Sequence, residues 1–216
     1  GGSAASAAGA VLAASRLLDE PLSENELLRY GMFGEYVASG AFHPDNLAPA
    51  LLGGLILGLS LEPLRIVRIP VPPSLHCVIV YPELRVDTRD ARAVLPKEIR
   101  LKDHTAQSGR LAGVIAGCYT GDLTLIGQSL ADLLVEPHRA SLVKGFPGVK
   151  AAALEAGALG CSLSGSGPSL FAWCAGSAAG ELIRDRMVNA FVEVGVPARG
   201  WISPVSAPGT RIVHEE

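Results

Sequence analysis

The chain has 216 residues, 49% of them hydrophobic and 18% charged, enough to bury one large core or two small ones and too apolar for a disordered tail. Its 18 Lys and Arg against 21 Asp and Glu leave a formal net charge of -3, so it has no basic field to neutralise a polynucleotide. Aromatics at 5% supply no base-stacking platform, and nucleic acid is not an expected partner.

The chain opens on GGSAASAAGAVLAA with neither an initiating Met nor the basic and bulky apolar segments of a signal peptide, so it reads as starting inside a longer protein. Alanine dominates Ser3 to Leu18, which predicts a helix fed by a glycine turn at Gly1 and Gly2. Ser23 and Glu26 form a capping box that opens a second helix, running to about Ser39, where Gly40 can end it. A loop, GAFHPDN, comes next. The apolar stretch Leu47 to Leu59 is shorter than the roughly 20 residues of a spanning helix and carries Pro49, Gly53, Gly54 and Gly58. No membrane partner is expected; the stretch reads as a buried helix end running into a buried strand.

GGLILGL, LRIVRIPV and LHCVIVY are separated by Pro and Gly and read as strands, and DTRDARAVLP as a short helix stopped by Pro96. Two helices broken near Gly121 and Asp122 are expected between Asp103 and Leu134, then a turn of helix at Pro137 and a helix from about Gly148 to Ala156. LGCSLSG and SLFAWC flank a tight turn, GELIRDRMVNAFVEV is an amphipathic helix, and ARGWIS and TRIV are closing strands. Helices and strands interleave without a repeating βαβ rhythm, which predicts an α+β fold. Cys77, Cys118, Cys161 and Cys174 sit among apolar residues without CxxC spacing and read as buried, reduced thiols of an intracellular protein.

Chemistry could sit at several places, each with a plainer explanation beside it. Gly1, Gly2 and Ser3 ahead of an alanine helix make a cradle for an anion, or equally a small-residue surface for helix packing. Glu35 shares a helical face with Leu28, Gly31, Met32 and Ser39, so its carboxylate projects with the apolar side and calls for a metal, an arginine or an ion pair. His43, Asp45 and Asn46 lie in the loop after it, where turn formation accounts for them. Glu35 and Asn46 are also oxygen donors suited to Mg2+, whereas zinc lacks a second nitrogen or sulfur ligand near His43.

Thr88 and Arg92, four residues apart, could share one carboxylate, or stand in an exposed ladder with Asp87, Arg89 and Asp90. Arg139 by itself is an ordinary surface arginine. Ser164, Gly165, Ser166 and Gly167, followed by Pro168 and Ser169, make a loop whose backbone can wrap an anion or simply turn a hairpin. A dinucleotide fingerprint would need glycine where Leu170 stands.

Taken in order, GGSAASAAGA, FHPDNLAPALLGG and LGCSLSGSGPS resemble motifs of the homoserine kinases, a branch of the GHMP small-molecule kinases. They correspond to the end of the superfamily phosphate loop P-x-x-x-G-L-G-S-S-A, the homoserine kinases' H-x-D-N-x-A-P-A-x-x-G-G, and the superfamily's C-terminal glycine motif. The likeness continues through VDTRDARAVLP, VEPHR and the stretch from Lys150 to Gly160, covering nearly the whole chain. Gly2 departs from it, standing where the family usually has Ser.

The resemblance implies a two-domain GHMP-kinase-like fold: the remainder of an N-terminal ATP-binding domain over residues 1–62 and a ferredoxin-like α+β domain over 63–216. It implies ATP-dependent phosphorylation of the hydroxyl of L-homoserine, in threonine biosynthesis, by a cytoplasmic enzyme and possible homodimer. Ser3 and Glu35 would hold Mg2+ with Asn46 close by, and these three would serve catalysis. Gly1, Gly2, Ser3 and Ser164 to Gly167 (Ser164, Gly165, Ser166, Gly167) would surround the ATP phosphates. His43, Thr88, Arg92 and Arg139 would bind the amino acid, the two arginines taking its carboxylate. The family's first half of the phosphate loop and its nucleotide-base pocket would precede Gly1, so this chain would carry half an active site, and its activity alone is left open. Two alternatives stand beside this reading: another small-molecule kinase of the superfamily, and an incomplete fragment that only packs or binds.

Overall fold

The computed structural model describes residues 2–39 and 44–213. The chain divides into two units, one running to Val71 and taking in the tail from Ser206, the other spanning Pro72–Val205. This division keeps whole a hairpin that a boundary after residue 62 would cut at its turn.

The first unit consists of α1 (Gly2–Ser15), α2 (Glu24–Ser39), α3 (Pro44–Leu52) and the antiparallel hairpin of β1 (Leu55–Leu61) and β2 (Leu64–Ile69). Gly2 is already helical, and α1 stops at Ser15, short of Leu18, where the Ser15 hydroxyl accepts from the Leu22 amide at 2.8 Å. The capping box forms as expected: the Ser23 amide and hydroxyl donate to Glu26 Oε2 at 2.8 and 2.6 Å, and these bonds hold the Glu26 carboxyl below its ordinary pKa. Ala4 and Ala8 of α1, Leu28 and Met32 of α2, and Leu47 and Leu51 of α3 share one core.

Three expectations fail here. Asp45 and Asn46 lie in the first turn of α3 and not in a loop, because Pro44 supplies a helical φ at the first position and Leu47 and Leu51 bury one face despite Pro49. Strand β1 is half-buried at its start and exposed from Gly58 to Ser60, since a lone hairpin has only one face to pack. Residues 210–213 form no strand. The tail instead crosses α3's end, with the Thr210 amide and hydroxyl both donating to the Ala50 carbonyl at 2.9 Å and the Gly54 amide donating to the Ala207 carbonyl at 3.0 Å.

The second unit is an antiparallel sheet of order β4-β5-β3-β6, built from β3 (Leu75–Pro82), β4 (Gly160–Leu163), β5 (Leu170–Ala175) and β6 (Ala198–Pro204). Numbered within this unit the order is 2-3-1-4, the ferredoxin-like arrangement. Between β3 and β4 run α4 (Thr88–Ala93), α5 (Leu101–Thr120), α6 (Leu123–Ser129), α7 (Glu136–Arg139), a 3-10 turn (Ala140–Leu142) and α8 (Phe146–Glu155); α9 (Ser177–Glu193) joins β5 to β6. Alternation in β3 places Val78 and Val80 inward. They meet Phe146 and Val149 of α8 and Ile183, Met187 and Phe191 of α9. Residues 130–134, expected to be helical, are not; Asp122 caps α6 by accepting from the Leu125 amide at 2.9 Å, and that helix ends at Ser129.

Gly53 has φ +73, and a methyl built on it would lie 2.3 Å from the Gly209 nitrogen and 2.4 Å from the Ala207 carbonyl; Gly54, at φ +68, faces open space. Gly53→Ala is therefore expected to cost about 2–4 kcal/mol through backbone strain plus overpacking, and Gly54→Ala only about 1 kcal/mol. Chemical denaturation of the two variants checks the difference.

All four cysteines are free. Burial pushes the Cys77 and Cys161 thiols up from 9.0 to about 12. Unfolded thiols lose their protons from about pH 9 while the folded ones keep theirs, so this contribution to stability is complete below about pH 9 and falls as pH rises toward 12. The expected slope is up to about 1.4 kcal/mol per pH unit for each thiol, and a Cys77→Ala, Cys161→Ala double variant should flatten it in denaturation curves taken across that range.

Candidate active site

In the first unit the start of α1 is open. A methyl built on Gly2 would meet no neighbour within 4 Å, and Ser3 is exposed, so the first amides of the helix, which have no intrahelical acceptor, are accessible to an anion. Glu35 is 4% exposed, on the face of α2 that also buries Leu28 and Met32, as its helical spacing predicts. That burial makes the carboxylate unusual, because an acid on a surface helix ordinarily stays in water. α1 and α2 pack so closely beside it that a methyl on Gly34 would lie 2.9 Å from the Ala7 Cβ. Ser3 stands one helical turn before Ala7. Asn46, in the first turn of α3, is exposed. Gly1 and His43 lie outside the described residues.

A groove of about 610 Å³ in this unit runs between α2 and the β1–β2 turn, lined by Asn25, Arg29, Met32, Phe33, Glu62 and Leu64 among others. Among the described residues, no candidate catalytic or binding residue named from the sequence lines it.

In the second unit, Thr88 and Arg92 occupy one exposed face of α4, while Ala91 between them is fully buried and anchors the helix. The charge ladder does not form as drawn from the sequence: Asp87 pairs at 3.5 Å with Arg85, and among the described residues Arg92 has no ion pair. Both lie on the water side, where such a contact contributes little.

Arg139, unremarkable in the sequence, is the organising residue of this unit's site. Its Nε donates to the Ala91 carbonyl at 2.8 Å and its Nη1 to the Gly165 carbonyl at 3.2 Å. One guanidinium thus joins α4 to the glycine loop. The loop turns on Gly165 at φ +61 and Gly167 at φ +80, backbone conformations that favour glycine, and is closed by the Ser164 amide donating to Ser169 at 2.8 Å and the Gly167 amide donating to Ser164 at 3.1 Å. A hairpin accounts for the glycines. Thr88, Arg92, Arg139 and the loop Ser164 to Gly167 therefore belong to one neighbourhood, linked through Arg139.

Residues that fix the start of α7, the helix that carries Arg139, were missed by the sequence analysis. Lys150 of α8 pairs with Glu136 of α7 with side chains 25% and 12% exposed, and the Asp132 carboxylate accepts from the Leu134, Val135 and Glu136 amides at 2.9, 2.8 and 3.1 Å. The available signal was an acid four residues before Glu136-Pro137 and a lone lysine beside an alanine run.

Residues 1–54 match the GHMP kinases N terminal domain and residues 114–193 the GHMP kinases C terminal domain. The homoserine kinase of Xylella fastidiosa (strain M12) is 46% identical over 213 residues, 99% of this chain and 65% of the relative. That of Chlorobium phaeobacteroides (strain BS1) is 44% identical over 215 residues, 99% of this chain and 67% of the relative. The crystal structure of homoserine kinase from Cytophaga hutchinsonii superposes with a TM-score of 0.92 at 43% identity, covering 95% of this chain and 65% of that one. This chain spans about two thirds of the length of the curated relatives it matches, 65% in the Xylella case.

Proposed function

Because the chain belongs to the homoserine kinase family of the GHMP kinases, we propose that the protein transfers the γ-phosphoryl group of ATP to the hydroxyl of L-homoserine. One observation carries this: in the second unit Arg139 holds α4 beside the glycine loop, and neither Arg92 nor Arg139 is neutralised by a carboxylate among the described residues. Such a cationic corner suits an acceptor that carries its own carboxylate.

Phosphoryl transfer asks mainly for positioning and charge neutralisation. Arg92 and the Nη2 edge of Arg139 take the acceptor's carboxylate, and Thr88, one turn before Arg92, adds its hydroxyl. Resemblance to the family assigns His43 to the acceptor as well. In the first unit, Gly2 and Ser3 at the start of α1 bind phosphate oxygens through backbone amides, and resemblance to the family assigns Gly1 to the same phosphates; in the second, the Ser164 to Gly167 loop does so. The hydroxyl oxygen of homoserine forms the new P–O bond as the bond to ADP breaks, and its proton is released.

Mg2+ belongs to the same proposal. No group of three His, Cys, Asp or Glu side chains gathers among the described residues. The donors present are one buried carboxylate and one hydroxyl, which suits an ion that takes one or two carboxylates and leaves its other positions to water and phosphate. Ser3 and Glu35 would hold it, with Asn46 close by; when bound it neutralises charge on the phosphates. No helix among the described residues is long and apolar enough to cross a membrane. A cytoplasmic location and a homodimer complete the proposal.

In the full-length protein, Arg92→Ala should weaken homoserine binding by about 2–3 kcal/mol and leave ATP affinity nearly intact, the scale of losing a hydrogen bond to a charged group. Steady-state kinetics with each substrate varied checks this, and an unchanged homoserine KM removes Arg92 from the site. Glu35→Gln should raise the Mg2+ concentration needed for half-maximal rate by roughly tenfold or more. An unaltered Mg2+ dependence would overturn the role given to Glu35.

A further inference from the structure

Helix α7 is a single turn, too short to hold itself in place. It is fixed from outside at two points. Asp132 gathers the three amides that lead into it, and Pro137 in its first turn needs no acceptor. The Glu136 side chain meets the Lys150 ammonium of α8, which also lies 5.9 Å from the centre of the Phe146 ring. The second Glu136 oxygen is buried and has no hydrogen-bond partner among the described residues, so Lys150 is the cation that compensates this acid. A charge in that setting cannot readily swing away to water.

Arg139 lies three residues after Glu136, on the same turn. Its two carbonyl partners stand 48 residues before it and 26 after it, and among the described residues no other side-chain hydrogen bond ties either segment to α7. The direction of the guanidinium therefore depends on where α7 sits.

We propose that Asp132 and the Glu136–Lys150 ion pair form a positioning device that locks α7 so that Arg139 clamps the glycine loop to α4 and presents its remaining N–H edge to the acceptor's carboxylate. This rests on the function proposed above and deepens it. Glu136 and Lys150 touch no reactant; they act through Arg139. The clamp also gives the arginine a task beyond binding the acceptor: two of its three nitrogens are committed to protein carbonyls.

The test uses the full-length protein with Glu136→Gln, which keeps the shape, and Lys150→Met, which keeps the stem over Phe146. Each should raise the homoserine KM about tenfold while the ATP KM stays within about twofold, and each should speed hydrogen exchange of the 164–167 amides by about tenfold, as Arg139→Ala should. The charge-reversed double variant Glu136→Lys, Lys150→Glu should recover most of both losses. Lys150→Arg, which retains the cation, should match the parent in loop exchange. Loop exchange unchanged in the single variants overturns the proposal, as does an equal rise in both KM values. If a single variant does not fold, Lys150→Arg decides: loop exchange as fast as in Arg139→Ala overturns the device, and parent-like exchange supports it. Absence of homoserine phosphorylation by the parent protein would remove the functional reading, while the exchange measurements would still judge the clamp.

Discussion

A guanidinium that spends two of its nitrogens on backbone carbonyls is the constraint around which the second unit's site is arranged. Arg139 reaches Ala91 in α4 and Gly165 in the glycine loop, segments that share no secondary structure and lie on either side of it in the chain. Carbonyls are weaker partners than carboxylates, so the arginine keeps its charge unneutralised while still being held. That combination, a fixed cation with an open edge, is what recognition of a small anionic acceptor requires. The sheet supplies the rigidity beneath it: β4 is buried along its whole length and β5 pairs with it up to Leu163 and Leu170, so the loop between them springs from a firm base.

The first unit solves a different physical problem. Small residues let α1 and α2 approach closely beside Glu35, whose carboxylate is removed from water. The tail from Ser206 completes the unit by crossing the end of α3, where Gly53 and Gly209 meet backbone to backbone. The paired glycines that end the FHPDNLAPALLGG motif thus serve different ends. Gly53 leaves room for another strand of chain, and Gly54 only needs its φ.

Much of the local structure was legible beforehand because it rests on interactions between near neighbours. The Ser23 to Glu26 capping box, the alternation of β3, the face shared by Leu28, Met32 and Glu35, and the break at Gly121 and Asp122 each involve residues within one or two turns or a few strand positions. Where spacing misled, tertiary packing outweighed local preference. Asn46 became helical although Pro49 lies ahead, because Leu47 and Leu51 had a core to enter. Residues 210–213 looked like a strand, yet Thr210 found its acceptor in α3.

By itself the amino-acid order determined the α+β class, the helices and strands that carry the site, and the motifs that mark the family. Only the tertiary structure decided what Arg139 binds, that Lys150 answers Glu136, and that the tail lies against Gly53. The reason is one of range. A helix cap or a pleat is settled by energies among residues a few positions apart, which spacing records. Partners 26, 48 or 160 positions away are selected by how whole elements pack, and no local pattern records that choice.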